Sequence, residues 1–201
     1  MAVLSRISTP RCFKIFWCKS SIFCSLMTIM LLYNLAKRRY KLLRNADILD
    51  LNFIHKLVLS GSQNEHFNPE FYLNQAANNG LRKNLQSILN DHKRLDLDAK
   101  AYVLIAENYG KPASFMIISA REGGKGNEIW MMGTDPQYQG KGIASSFLDD
   151  VLKQFKSGNR VVFARCSPIS EVMFKLLIKK GFKHVETGES GTRLLAYNLP
   201  D

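Results

Sequence analysis

Two periodicities alternate along the chain from residue 45 onward. Leu51, Ile54, Leu57 and Val58 recur at helical spacing, and the polar stretch GSQNEHFNPEF separates this helix from a second one running roughly through Gln75 to Leu89. The pattern then shifts to short runs rich in β-branched and aromatic residues. AYVLIAE, PASFMIISA and EIWMMGT read as strands, joined by NYGK and EGGKGN as hairpin turns. Next comes a helix with Ile143, Phe147, Leu148, Val151, Leu152 and Phe155 on one face, then a strand RVVFARC, then a helix SEVMFKLLIKK that Gly181 stops. Phe182 to Glu186 and Thr192 to Asn198 are closing strands. Upstream, RRYKLLR alternates as a strand does, and NADILDL supplies a polar cap for the first helix. This order demands both antiparallel hairpins and a crossover, which predicts an α+β fold with a mixed sheet.

Charge divides the chain into two parts. The formal net charge is +11 over 201 residues, which by itself suggests a nucleic-acid or membrane partner. Residues 1 to 44 hold nine Lys or Arg and no Asp or Glu, so the rest carries 19 basic against 17 acidic residues, a net +2. A nucleic-acid partner therefore loses most of its support and is not expected. Within the basic segment, Ser20 to Ala36 is seventeen residues without a charge, short of the roughly twenty that span a bilayer. It reads as a short membrane anchor, as an amphipathic helix on an anionic surface, or as translated sequence upstream of a start at Met27 or Met30. We place a domain over residues 37–201, after an N-terminal extension of 1–36. A cytoplasmic location is expected, with a membrane-anchored domain facing the cytoplasm as the alternative. Cys12, Cys18, Cys24 and Cys166 do not read as a disulfide framework. Their spacing and the scattered His55, His66, His92 and His184 do not read as a metal site either.

The chemistry is concentrated in EIWMMGTDPQYQGKGIASSFLDDVL. A hydrophobic strand runs into a Pro turn and then Gln139-Gly140-Lys141-Gly142-Ile143-Ala144, where an amphipathic helix begins. Glycines there let backbone N–H groups approach a phosphate without Cβ obstruction, and the helix dipole favours negative charge. The spacing is neither a Walker loop nor a dinucleotide fingerprint. With the later L-x-x-K-x-G-F segment at Leu176 to Phe182, the stretch resembles the GNAT superfamily of acyl-CoA N-acyltransferases. That family's loop reads [QR]-x-x-G-x-[GA], and Gln139, Gly142 and Ala144 fill its fixed positions. The resemblance covers roughly residues 38 to 200. It implies a mostly antiparallel central sheet of about six to seven strands flanked by about four helices, and acetyl transfer from acetyl-CoA to a primary amine by direct attack in a ternary complex, with no metal.

The resemblance also assigns positions. Backbone N–H groups of Gln139, Gly140, Lys141, Gly142, Ile143 and Ala144 would hold the CoA pyrophosphate, helped by the Ser145 hydroxyl. The Lys141 ammonium would add a cation, or simply be a solvated surface charge. The pantetheine arm would lie along Met132, Gly133 and Thr134, with the Met132 N–H polarising the thioester carbonyl. Glu128, eleven residues before Gln139, is the candidate general base, or else a strand-start carboxylate on an exposed turn. His66, Phe67, Glu70 and Tyr72 are nominated for a small-molecule or peptide amine acceptor, or else form a surface loop with Phe67 and Phe71 packing inward. Leu177 stands where many members carry a proton-donating Tyr, and Ser170 where an Asn is common. This departure keeps a catalytically silent CoA-binding module as the rival reading. Relatives are frequently dimers, so the resemblance admits a homodimer, although no residues identify an interface.

Overall fold

The computed structural model describes residues 42–121, 126–158 and 160–199. The extension 1–36 with its three readings, the start of the leading strand and most of the EGGKGN turn lie outside the described residues. The elements in chain order are β1 (Leu42–Asn45), α1 (Leu51–Gln63), α2 (Glu70–Leu73), α3 (Gln75–Asp91), β2 (Lys93–Arg94), β3 (Ala99–Asn108), β4 (Lys111–Ala120), β5 (Asn127–Thr134), α4 (Ile143–Ser157), β6 (Val162–Cys166), α5 (Glu171–Lys179), β7 (Lys183–Thr187) and β8 (Arg193–Tyr197). The sheet has the order β1-β3-β4-β5-β6-β8-β7, with β2 paired to β3. Every pairing is antiparallel except β5 with β6. That exception follows from α4, because parallel neighbours need a crossover and α4 supplies it.

Alternation along the central strands gives the sheet two apolar faces. Phe115 and Ile117 of β4 pack with Ile54, Val58, Leu85 and Ile88 of α1 and α3, whereas Met116 between them packs with Phe147, Leu148 and Val151 of α4 and Leu177 of α5. All but Leu177 of these residues are within 1% of full burial, and Leu177 is 3% exposed. The α5 helix ends as its Gly predicts. Gly181 takes φ +91°, its N–H bonds Ile178 O at 3.0 Å, and the Phe182 N–H bonds Leu177 O at 3.1 Å.

Two elements were not legible from periodicity. A single helical turn, α2, stands in the stretch read as a polar loop. It starts at Pro69, with Asn68 Oδ1 accepting the Glu70 N–H at 3.1 Å. It stops at Asn74, whose side chain instead caps α3 by accepting from the Ala76 and Ala77 N–H groups. Four residues are too few to show a helical period. The second, β2, follows left-handed His92 at φ +54°, and Arg94 is buried there by its ion pair with Asp96 and by stacking 3.8 Å over Trp130. The first helix also runs through Gly61. A Cβ at that position would stand 2.5 Å from the Phe67 ring, so glycine allows the loop to fold back on α1.

Phe147 fills the layer between α4 and the sheet with no exposed surface. Phe147→Ala should lower unfolding free energy by about 3–5 kcal/mol in urea titration, the range for emptied aromatic core sites. Between α1 and α3, His55 Nε2 lies 3.1 Å from Asn78 Oδ1, and burial, with Arg82 nearby, pushes its imidazole below the ordinary 6.5. The unfolded chain therefore takes up this proton first. Its stabilising contribution is complete above the ordinary value and is lost as pH falls through the folded one. Urea midpoints at pH 7.5 and 5.5 should differ less for His55→Gln than for the parent.

Candidate active site

The β5–β6 pairing lasts only three residues, Asn127↔Val162, Glu128↔Phe163 and Ile129↔Ala164. The strands part beyond it. A bulge marks the departure: on the other edge of β5, Ile117 faces Met131 and Ile118 faces Ile129, so Trp130 is the extra residue. Bulges raise local twist and re-aim side chains. Ile129 and Met132 consequently face α4 and α5, while Trp130 and Met131 face α1 and α3.

The same ladder fixes the backbone direction inside the fork. The Asp135 N–H bonds Ala113 O at 2.9 Å, and Gly133 O, accepting from Ser114 Oγ at 2.7 Å, also points toward β4. Bonding direction alternates along an antiparallel ladder, so Met132 and Thr134 turn their N–H and C=O groups the other way, into the gap that β6 has left. Gly133 itself lies opposite Phe115 of β4, whose ring covers it. A Cβ there would stand 2.7 Å from Phe115 Cε1, a ring with no exposed surface.

The loop beyond β5 is held from within. Asp135 accepts the Gln137 N–H at 3.0 Å, opening the 3-10 turn Pro136–Tyr138, and Gln139 Nε2 reaches back to donate to Thr134 O at 3.1 Å. Gly140 and Gly142 both take positive φ, +71° and +76°, with open space where a Cβ would be. Gly142 is the N-cap of α4, and no side chain caps that helix. The first helical bond runs from the Ser146 N–H to Gly142 O, so the N–H groups of Ile143, Ala144 and Ser145 precede the ladder. Lys141 Nζ lies 5.7 Å from the Tyr138 ring centroid.

Glu128 is not on an exposed turn. It is 6% exposed within β5, and Arg165 Nη1 bonds its Oε1 at 2.9 Å. Arg165, the ion-pair partner of the candidate base, is a residue that the sequence reading missed. Its position one residue off the apolar alternation of β6 is the only signal it gives. Of the acceptor-side residues, Phe67 packs inward with Phe71 against the α1 layer, while His66, Glu70 and Tyr72 are exposed. His66 Nδ1 lies 3.0 Å from Ser170 Oγ at the start of α5, so the α1–α2 loop meets the open end of the fork. Cys166 is buried at the end of β6, and burial pushes its thiol up to about 11, so it stays protonated. Among the described residues no group of His, Cys, Asp and Glu is placed to hold a metal, and no helix is long and apolar enough to cross a membrane.

The site is thus a splayed parallel pair with a bulged strand, followed by a glycine-started helix. The acetyltransferase (GNAT) family model matches residues 64–176, more than half of the chain, and the protein belongs to that family. Acetyl transfer is the general activity that this membership supports. The fold is similar to that of an N-acetyltransferase from Staphylococcus aureus Mu50, at 17% identity and TM-score 0.60, covering 78% of this chain and 100% of that one. It is also similar to PaiA N-acetyltransferase from Thermoplasma acidophilum in complex with coenzyme A (14% identity, TM-score 0.58, 78% and 97% covered). A third likeness is to an aminoglycoside N(6')-acetyltransferase from Legionella pneumophila (17% identity, TM-score 0.57, 78% and 91% covered). No curated protein sequence matches the chain.

Because Gly133 leaves no room above Phe115, Gly133→Ala should destabilise the protein by about 1–3 kcal/mol, the cost of overpacking. Thermal unfolding monitored by circular dichroism would register it as a lowered Tm.

Proposed function

We propose that the protein transfers an acetyl group from acetyl-CoA to a primary amine by direct attack in a ternary complex. The observation that carries this reading is the fork, where backbone donors of β5 turn into a gap that leads to an uncapped helix start. The residues present suit the co-substrate. Unpaired N–H groups at Ile143, Ala144 and Ser145, and glycines with open space above them, are what a pyrophosphate needs. Gln139, Gly140, Lys141 and Gly142 complete that cradle, with Lys141 contributing charge and the Ser145 hydroxyl a further donor. The gap beside Met132, Gly133 and Thr134 accepts an extended arm as an added strand.

Acetyl-CoA, when bound, supplies the activated acyl carbon. The Met132 N–H meets the carbonyl oxygen and stabilises the negative charge that builds there during attack. Glu128 takes the acceptor's proton directly or through a water, using the oxygen that Arg165 does not hold. His66, Glu70 and Tyr72 present polar and aromatic groups to the acceptor from the α1–α2 region, while Phe67 anchors that loop.

Calorimetric titration of acetyl-CoA into the full chain should give micromolar binding, about −8 kcal/mol. Gly142→Asp, which sets a carboxylate and a Cβ at a φ of +76°, should abolish it. Glu128→Gln should retain binding and lower kcat by about 10²-fold or more with an amine panel. Binding without turnover on any amine would favour the silent CoA-binding module instead.

A further inference from the structure

Direct transfer releases a thiolate, and this inference, which rests on the transfer reading, concerns the proton it needs. The side chain at the base of α5 that faces the core, Leu177, is an alkyl group at 3% exposure and can donate nothing. A polar chain stands at the other end of the helix, at its start. His66 Nδ1 lies 3.0 Å from Ser170 Oγ, and Ser170 Oγ lies 3.0 Å from Ser167 Oγ. His66 and Ser170 are 104 residues apart, so the contact is a tertiary choice rather than a local one. Ser167 directly follows β6. Continuing the register past Ile129↔Ala164, and allowing for the bulge at Trp130, puts Ser167 across the fork at the level of Met132 and Gly133. The N–H that would meet the carbonyl oxygen and the end of the hydroxyl chain thus stand on opposite sides of one gap.

We infer that Ser167 and Ser170 form a proton path from His66 to the departing sulfur. As the amine nitrogen bonds to the acyl carbon and the C–S bond breaks, the sulfur keeps the electron pair and takes the Ser167 proton. Ser170 replaces that proton, and His66 Nδ1–H replaces the one lost by Ser170. Exposed His66 recovers its proton from water, and Glu128 returns the acceptor's proton to water, so the enzyme ends each cycle unchanged. Ser167 is the catalytic donor; His66, acting through Ser170, supplies and positions the proton. The charged and titratable groups around this path are Glu65 and Glu70 of the same loop, Glu171 and Lys175 of α5, Arg193 of β8, Cys166 of β6, and the Glu128–Arg165 pair. Arg193 bonds Glu171 at 2.7 Å and holds its carboxyl below the usual carboxylate range, so Glu171 remains a charge rather than a competing donor.

The test uses the full chain with an amine on which the parent is active. His66→Ala should lower kcat by about 10²-fold, a typical acid–base contribution, while acetyl-CoA affinity stays within about twofold. Added imidazole should restore the rate, and the rescue should fall as pH rises and the imidazolium fraction shrinks. Ser170→Ala should show the same loss without rescue, because the intervening hydroxyl is gone. Parent-like kcat in His66→Ala, rescue that follows free imidazole, or loss of acetyl-CoA affinity in step with rate would each overturn the proton path while leaving the transferase reading intact. A parent that binds acetyl-CoA yet acetylates no amine would overturn both.

Discussion

Three residues of β5 pair with three of β6, and past Ile129 and Ala164 the two strands separate while each keeps its other neighbour. Almost everything of chemical interest depends on that separation. Antiparallel neighbours joined by tight hairpins have little reason to part, whereas a parallel pair linked by a long crossover can be drawn together at one end only. The bulge at Trp130 supplies the extra twist and leaves Ile129 and Met132 on one face, so the α4 side of the core stays continuous while the backbone in between is left unpaired.

The two faces of the sheet meet different demands. On the α1 and α3 side, polar groups are tucked into packing positions: His55 against Asn78, and Arg94 over Trp130 with Asp96 as its partner, Asp96 in turn accepting from Asn84. These contacts orient helices rather than reach toward the gap. On the α4 and α5 side the packing is almost wholly apolar, and the polar groups collect at the rim, where Ser167, Ser170, Glu171 and Arg193 gather around the start of α5. The fork opens between a face built for rigidity and a rim built for hydrogen bonding.

How much of this the sequence disclosed follows from range. The periodic helices, the three central strands and the closing hairpin are local patterns, and each lies where its spacing put it, as does the glycine-started helix after Pro136. The single-turn α2 and the two-residue β2 escaped because elements that short carry no period. Arg165 beside Glu128 and His66 beside Ser170 escaped for another reason. Their separations of 37 and 104 residues depend on strand register and loop return, which no local spacing encodes. Phe67 shows the opposite difficulty, since an aromatic in a polar loop reads equally as a contact for a substrate or as the loop's own anchor, and Gly61 beneath its ring decides for the anchor.

The α4 helix begins at Gly142 with no side chain to accept its first N–H groups, although α3 in the same chain has Asn74 to do so. A capping aspartate, serine or asparagine needs extended backbone, whereas this position takes φ +76°, which suits glycine. Glycine leaves the first N–H groups of the helix without a side-chain partner, and on the proposed reading an anion completes them. If that anion is the pyrophosphate of the proposed co-substrate, filling the site and completing the helix are one event. By mass action a ligand at a hundredfold its dissociation constant adds about 2.7 kcal/mol of stability. On the proposed reading, the lifetime of this chain in a cell would then follow the supply of its co-substrate.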